Sequence, residues 1–124
     1  AINSYINLAE LYLKQDRLEE AGENFQKVIG FYPVTEYVIR YSYIQIALKK
    51  SDDALETIKK YFGNNYDHPD ISALVGTAYF VKGDYQQALI YLKKARELGN
   101  KTLEIIEMTE IAESKQADAS KIKK

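Results

Sequence analysis

Apolar positions recur at helical spacing from the second residue onward. In Ile2–Lys14, Tyr5, Leu8, Ala9 and Tyr12 fall three and four residues apart, the period of an amphipathic helix rather than of a strand. The same reading along the chain predicts helices over Ile2–Lys14, Leu18–Gly30, Thr35–Lys49, Asp52–Phe62, Asp70–Lys82 and Tyr85–Leu98, and a seventh from Thr102 to about Ser114. Stop and start signals lie between them. Pro33 follows the second helix, Ser51-Asp52 offers an N-cap to the fourth, and Gly63-Asn64-Asn65 follows that one. His68-Pro69-Asp70 opens the fifth helix and Gly99-Asn100 closes the sixth. The third helix is apolar nearly all round, which predicts burial on more than one side. Residues 115–124 lose the period and read as a polar, fraying tail.

The chain repeats itself. A small residue is followed four later by a large apolar one at Ala21 and Phe25, Ala54 and Ile58, and Ala88 and Leu92, with the alanines 33 and 34 residues apart. Nine residues before the first and third alanines stand Tyr12 and Tyr79, preceded by Leu8-Ala9 and Val75-Gly76. Turn signals at Gln15-Asp16 and Gly83-Asp84 divide each of these repeats into two helices, a helical hairpin. Glycine inside a helix costs about 1 kcal/mol relative to alanine and is tolerated where another backbone comes close, so Gly76 is predicted to face the second helix of its hairpin at Ala88. Ala9 and Ala21 would form the matching contact in the first repeat.

This pattern resembles the tetratricopeptide repeat family, built of about 34-residue helical hairpins. The resemblance covers roughly residues 2–100, in repeats of about 2–34, 35–68 and 69–102. The first repeat carries Tyr5 where the family prefers tryptophan, then Leu8, Ala9, Tyr12, Ala21, Phe25, Val28 and Pro33; the third matches through Val75, Gly76, Tyr79, Ala88, Leu92 and Ala95. The second is degenerate, with Tyr66 in place of the proline and Gln45 at the tyrosine position, unless a one-residue slip near Lys49-Lys50 puts Ile46 there. The resemblance implies an all-α fold of about seven helices, a right-handed superhelical solenoid of antiparallel hairpins. A solenoid also needs a cap whose outer side is polar. In 102–114, Ile105, Met108, Thr109 and Ala112 form an inward stripe edged by Ile106 and Ile111, while Glu107 and Glu110 lie opposite. Leu103 stands 34 residues after Pro69, so the first helix of a fourth repeat is the alternative. Either way, this helix should pack on the sixth.

In the family, first helices of the hairpins line a concave groove for peptides. Carried over by position, this implies a protein- or peptide-binding set of Asn3, Asn7, Glu10 and Lys14 from the first repeat, with Ile6 beside them. The second repeat supplies Arg40, Tyr43 and Ala47, with Ile39, and the third supplies Asp70, Thr77 and Phe80, with Ala73 and Val81. Tyrosine and arginine suit such a surface because they combine contact area with hydrogen-bonding ends. Members that hold acidic C-terminal peptides use a clamp of lysines, asparagines and an arginine. Here Asn7 fits, but Ile6, Ala73 and Leu74 stand where cations belong, which argues against that use. The expected function is a non-catalytic interaction scaffold; the alternative is a structural or oligomerising segment of a longer repeat array, joined through its ends.

Composition narrows the chemistry. The 124 residues contain no cysteine and one histidine, His68, which removes thiolate sites and leaves a triad or a His-based metal site without partners. Seventeen Lys+Arg against 18 Asp+Glu give a net charge of -1, with no field to steer toward nucleic acid, and Glu10 and Asp70 in the groove oppose RNA reading. Glu19-Glu20 and Asp52-Asp53 are first-turn residues favoured by the helix dipole rather than an acid–base pair. No phosphate loop or cofactor fingerprint is present, so neither catalysis nor a cofactor is expected. No stretch reaches the roughly 18–20 apolar residues of a membrane span. A helical pattern that begins at Ala1 reads as an excised or processed piece; the cytoplasm is the default compartment, with removal of an upstream signal left open.

Overall fold

A computed structural model describes residues 1–122, which form seven α-helices and no strand. They are α1 (Ile2–Lys14), α2 (Leu18–Phe31), α3 (Thr35–Ala47), α4 (Ser51–Phe62), α5 (Pro69–Lys82), α6 (Tyr85–Glu97) and α7 (Leu103–Ile122). The first six match the apolar period to within two residues at each end. The seventh runs well past Ser114: the expected fraying tail is helical to Ile122, while Lys123 and Lys124 lie outside the described residues. The reason is compositional. Residues 115–121 contain no glycine or proline to stop a helix, although the apolar period has ended and most of them are exposed.

The hairpin turns share one geometry. Asp16, Lys49 and Gly83 all take positive φ, at 57°, 67° and 87°. Around them, the amide N–H groups of Arg17, Lys50 and Asp84 donate to the carbonyls of Tyr12, Gln45 and Tyr79 at 2.8–3.0 Å, closing a Schellman-type turn each time. Gln45 therefore occupies the tyrosine position of the second repeat, and no one-residue slip occurs. Its amide compensates for the missing ring by accepting a 2.9 Å hydrogen bond from the Thr57 hydroxyl of α4. The same turn ends α6, where Gly99 rather than Asn100 is the left-handed residue (φ 115°).

Caps divide in two. His68 Nδ1 accepts from the amides of Asp70 and Ile71 at 3.1 and 3.4 Å, so the single histidine caps α5 with Pro69 at its first position. Asp84 caps α6 through Gln87 N–H. Ser51, expected as a cap, is instead the first residue of α4 and is buried; Lys50 precedes it without a side-chain cap.

The chain packs as two compact units, residues 1–63 and Asn64 onward. In the first, Ala9, Ala21, Phe25 and Ile44 form a core bordered by Tyr12, Tyr37, Tyr41 and Leu48. α3 packs against both α2 and α4, which is why its sequence is apolar nearly all round. In the second unit, Ala73, Ala88, Leu92, Ala95 and Ile105 form the core of α5, α6 and α7. The repeat residues Ala21, Phe25, Ala54, Ile58, Ala88 and Leu92 are all fully buried. Burying each large one contributes about 1.5–3 kcal/mol. A Cβ at Gly76 would stand 2.8 Å from Leu92 Cγ and 3.0 Å from Leu92 N, so the close neighbour is Leu92 and not Ala88, one helical turn away. α7 packs on α6 through Ile105, Thr109 and Ala112; Met108 is half-buried, while Ile111, expected at the edge of that stripe, is 47% exposed.

Candidate interaction face

On α1, Asn3, Asn7, Glu10 and Lys14 are all exposed, at spacings of four, three and four. This stripe exists because Tyr5, Ala9, Tyr12 and Leu13 turn the other side of α1 into the core. On α3, Arg40, Tyr43 and Ala47 form a second stripe at spacings of three and four. Tyr43 is 39% exposed, so it is a surface residue and not part of the core. Of the eleven tyrosines, only Tyr32 and Tyr43 are exposed; the other nine are half-buried packing residues.

One side chain joins the stripes. The Arg40 guanidinium lies 3.3 Å from Glu10 Oε1 on α1 and 2.9 Å from Glu36 Oε1 on its own helix. Glu36 was not singled out by the sequence pattern, although its position four residues before Arg40 on one helix was the available signal. With side chains 40–62% exposed, these pairs contribute at most about 1 kcal/mol each. Their consequence is electrostatic: the cation is already shared by two carboxylates, and the face is mixed in charge rather than a cradle for anions. Ile6 and Ile39 are half-buried beside it.

The third set lies on α5 in the second unit. Asp70 is exposed and accepts from Asn100 Nδ2 at 3.3 Å, and Thr77 is half-buried with its hydroxyl on the Ala73 carbonyl. Ala73 is buried in the α5–α7 core, so it is not available to a ligand. Phe80 is half-buried, packed on that core and edge-on to Tyr85 at 5.6 Å; Val81 is 44% exposed. At the chain's other end, Ile105 is buried in the α5–α7 core and Met108 half-buried against it, so neither offers an outward end contact; the outward apolar groups of α7 are Leu103 and Ile111. Among the described residues there is no cluster of metal-ligating side chains, and no helix is long and apolar enough to cross a membrane.

A family profile described as tetratricopeptide repeat matches residues 2–35, the first hairpin and its turn. Solved structures resemble the fold over nearly the whole chain. The first tetratricopeptide domain of human RPAP3 superposes with a TM-score of 0.80 over 98% of this chain and 98% of that one, at 18% identity. Residues 2–35 match one tetratricopeptide repeat, and the chain as a whole has the fold of a tetratricopeptide domain. The first such domain of Spaghetti (RPAP3), bound to the HSP90 peptide SRMEEVD, matches with a TM-score of 0.80 over 94% of this chain and 93% of that one, at 17% identity. The TPR2AB domain of yeast Sti1, in complex with an HSP90 peptide, matches at 0.75 over 96% of this chain and 48% of its own length, at 17% identity. No curated protein matches the chain. The described residues thus share the all-α helical-repeat fold of these domains.

Proposed function

We propose that the chain binds a peptide or an exposed segment of another protein along the joined α1 and α3 stripes. The observation that carries this reading is the Arg40 bridge to Glu10. It links two helical stripes, 30 residues apart in sequence, the second of which carries an exposed tyrosine, and this supports reading them as one face. Tyr43 supplies contact area, and Asn3 and Asn7 supply paired donors and acceptors for a peptide main chain. Because Arg40 is shared by Glu10 and Glu36, the ligand is a segment of mixed or neutral charge and not an acidic tail.

The test is selection of peptides from a displayed random library, followed by mapping of the selected peptide on the chain by amide chemical shifts. Shifts at Asn3, Asn7, Tyr43 and Ala47, lost with Tyr43→Glu while the helical circular dichroism is unchanged, support the reading. A selected peptide that binds Tyr43→Glu and Arg40→Glu as well as the parent chain refutes it.

A further inference from the structure

Another side of α3 forms the floor of an open cleft whose walls are α2 and α4, all within the first unit. Its cavity volume is about 500 Å3, continued by about 270 Å3 more along the same floor. That lies within the roughly 300–1,000 Å3 of ligand sites, but the lining is polar and the cleft open, which suits a peptide chain better than an enclosed small molecule. Tyr41 and Gln45 are shared by both parts of the floor, with Gln26 on the α2 wall and Asp53 and Tyr61 on the α4 wall.

Two features define the chemistry. The first is aromatic. Tyr41 and Tyr61 line the cleft half-buried, and the Tyr61 ring already faces a cation, with Lys60 Nζ 5.3 Å from its centroid. Asp53 lines both parts of the cleft with Tyr41, and burial, then the Asp53 carboxylate and Tyr61, push the Tyr41 hydroxyl above its ordinary pKa. The second is charge. Glu19, Glu23, Asp53 and Glu56 outnumber Lys50 and Lys60 around the cleft. Aromatic rings beside a carboxylate suit a guanidinium, which stacks flat on a ring and takes a carboxylate through two parallel N–H bonds, whereas an ammonium is a strongly hydrated point charge. Along the floor, the Gln45 amide is held by Thr57 at 2.9 Å, and with Gln26 it provides a donor and acceptor pair for a peptide backbone.

We propose that the α2–α4 cleft is a second binding site, independent of the α1–α3 face, for an arginine-bearing extended peptide. The guanidinium lies on Tyr41 and Tyr61 with Asp53 as its carboxylate, and the main chain follows Gln26 and Gln45.

The test uses the full chain, labelled for amide chemical shifts, and the blocked tripeptides acetyl-Gly-Arg-Gly-amide and acetyl-Gly-Lys-Gly-amide. The arginine peptide is expected to give saturable shifts at residues of α2, α3 and α4 with a dissociation constant of about millimolar order, roughly fivefold tighter than the lysine peptide. Asp53→Asn, an exposed substitution, and Tyr61→Leu should each weaken it by roughly fivefold with helical content retained. Absence of saturation, equal binding of the lysine peptide, or unchanged binding to Asp53→Asn overturns the proposal. Shifts confined to Asn7 and Tyr43 also overturn it, because they assign the arginine to the other face.

Discussion

Replacing Gly76 by alanine tests the closest helix approach in the second unit. Two effects oppose each other. Alanine relieves the conformational-entropy cost of a helical glycine, a gain of about 1 kcal/mol. Against it, the new methyl would sit 2.8 and 2.9 Å from Leu92 Cγ and Cδ2 and 3.0 Å from the Leu92 amide nitrogen. Leu92 is fully buried, so its side chain has no open space to rotate into, and the third contact is backbone, which yields only if α6 moves. Overpacking of this kind costs about 1–3 kcal/mol, and the backbone contact places it toward the upper end. The expected net loss is about 1–2 kcal/mol, or roughly 4–8 °C in melting temperature. Gly30→Ala is the internal control: it is also helical, but a Cβ there meets nothing within 4 Å, so only the propensity gain of up to about 1 kcal/mol operates. Urea unfolding followed by circular dichroism should move the two midpoints in opposite directions. If Gly76→Ala stabilises the chain as Gly30→Ala does, helix proximity is not what keeps glycine at 76.

Alkaline pH provides a second test. The Tyr66 hydroxyl is raised by burial and then by Tyr91 and Tyr79, and that of Tyr41 by burial and then by Asp53 and Tyr61. The folded chain therefore holds these protons more tightly than the unfolded chain. Their contribution is complete below pH about 10 and is lost as pH rises through 10 toward the folded values. Urea midpoints of the parent chain should fall across that range more steeply than those of Tyr41→Phe or Tyr66→Phe; parallel slopes refute the assignment. At the start of α5, His68→Ala should lose about 1 kcal/mol because two amides lose their acceptor, whereas His68→Asn, which can accept them, should lose less. Equal losses in the two variants would show that Nδ1 is not the effective cap.

Six of the seven helices could be placed within two residues because their signals are local: apolar spacing of three and four, a proline, and turn residues that tolerate positive φ. Repeat spacing likewise identified Ala21, Phe25, Ala88 and Leu92 as core before any contact was known, since a face that recurs every 33 or 34 residues must be buried the same way each time. The candidate face was legible as stripes on single helices. That Arg40 ties one stripe to the other was not, because Glu10 and Arg40 are 30 residues apart and meet only through the packing of α3 onto the first hairpin.

The remaining decisions were tertiary for similar reasons. The α3 register depended on a turn hydrogen bond from Lys50 to Gln45, not on side-chain type at 45 or 46. Gly76 was readable as a point of close approach, but the crossing of α5 and α6 chose Leu92 over Ala88 as its neighbour. Ile111 and Ile105 share an apolar pattern, yet α6 covers only one of them, because a neighbouring helix buries an arc of side chains and leaves the edge of the stripe in water. The cleft between α2 and α4 belongs wholly to this second class. Gln26, Tyr41 and Tyr61 carry no common sequence signal, and they share one wall-and-floor surface only because α3 packs between the two helices. Local chemistry thus determined the helices and their repeat; the angles at which they pack determined which side chains face one another.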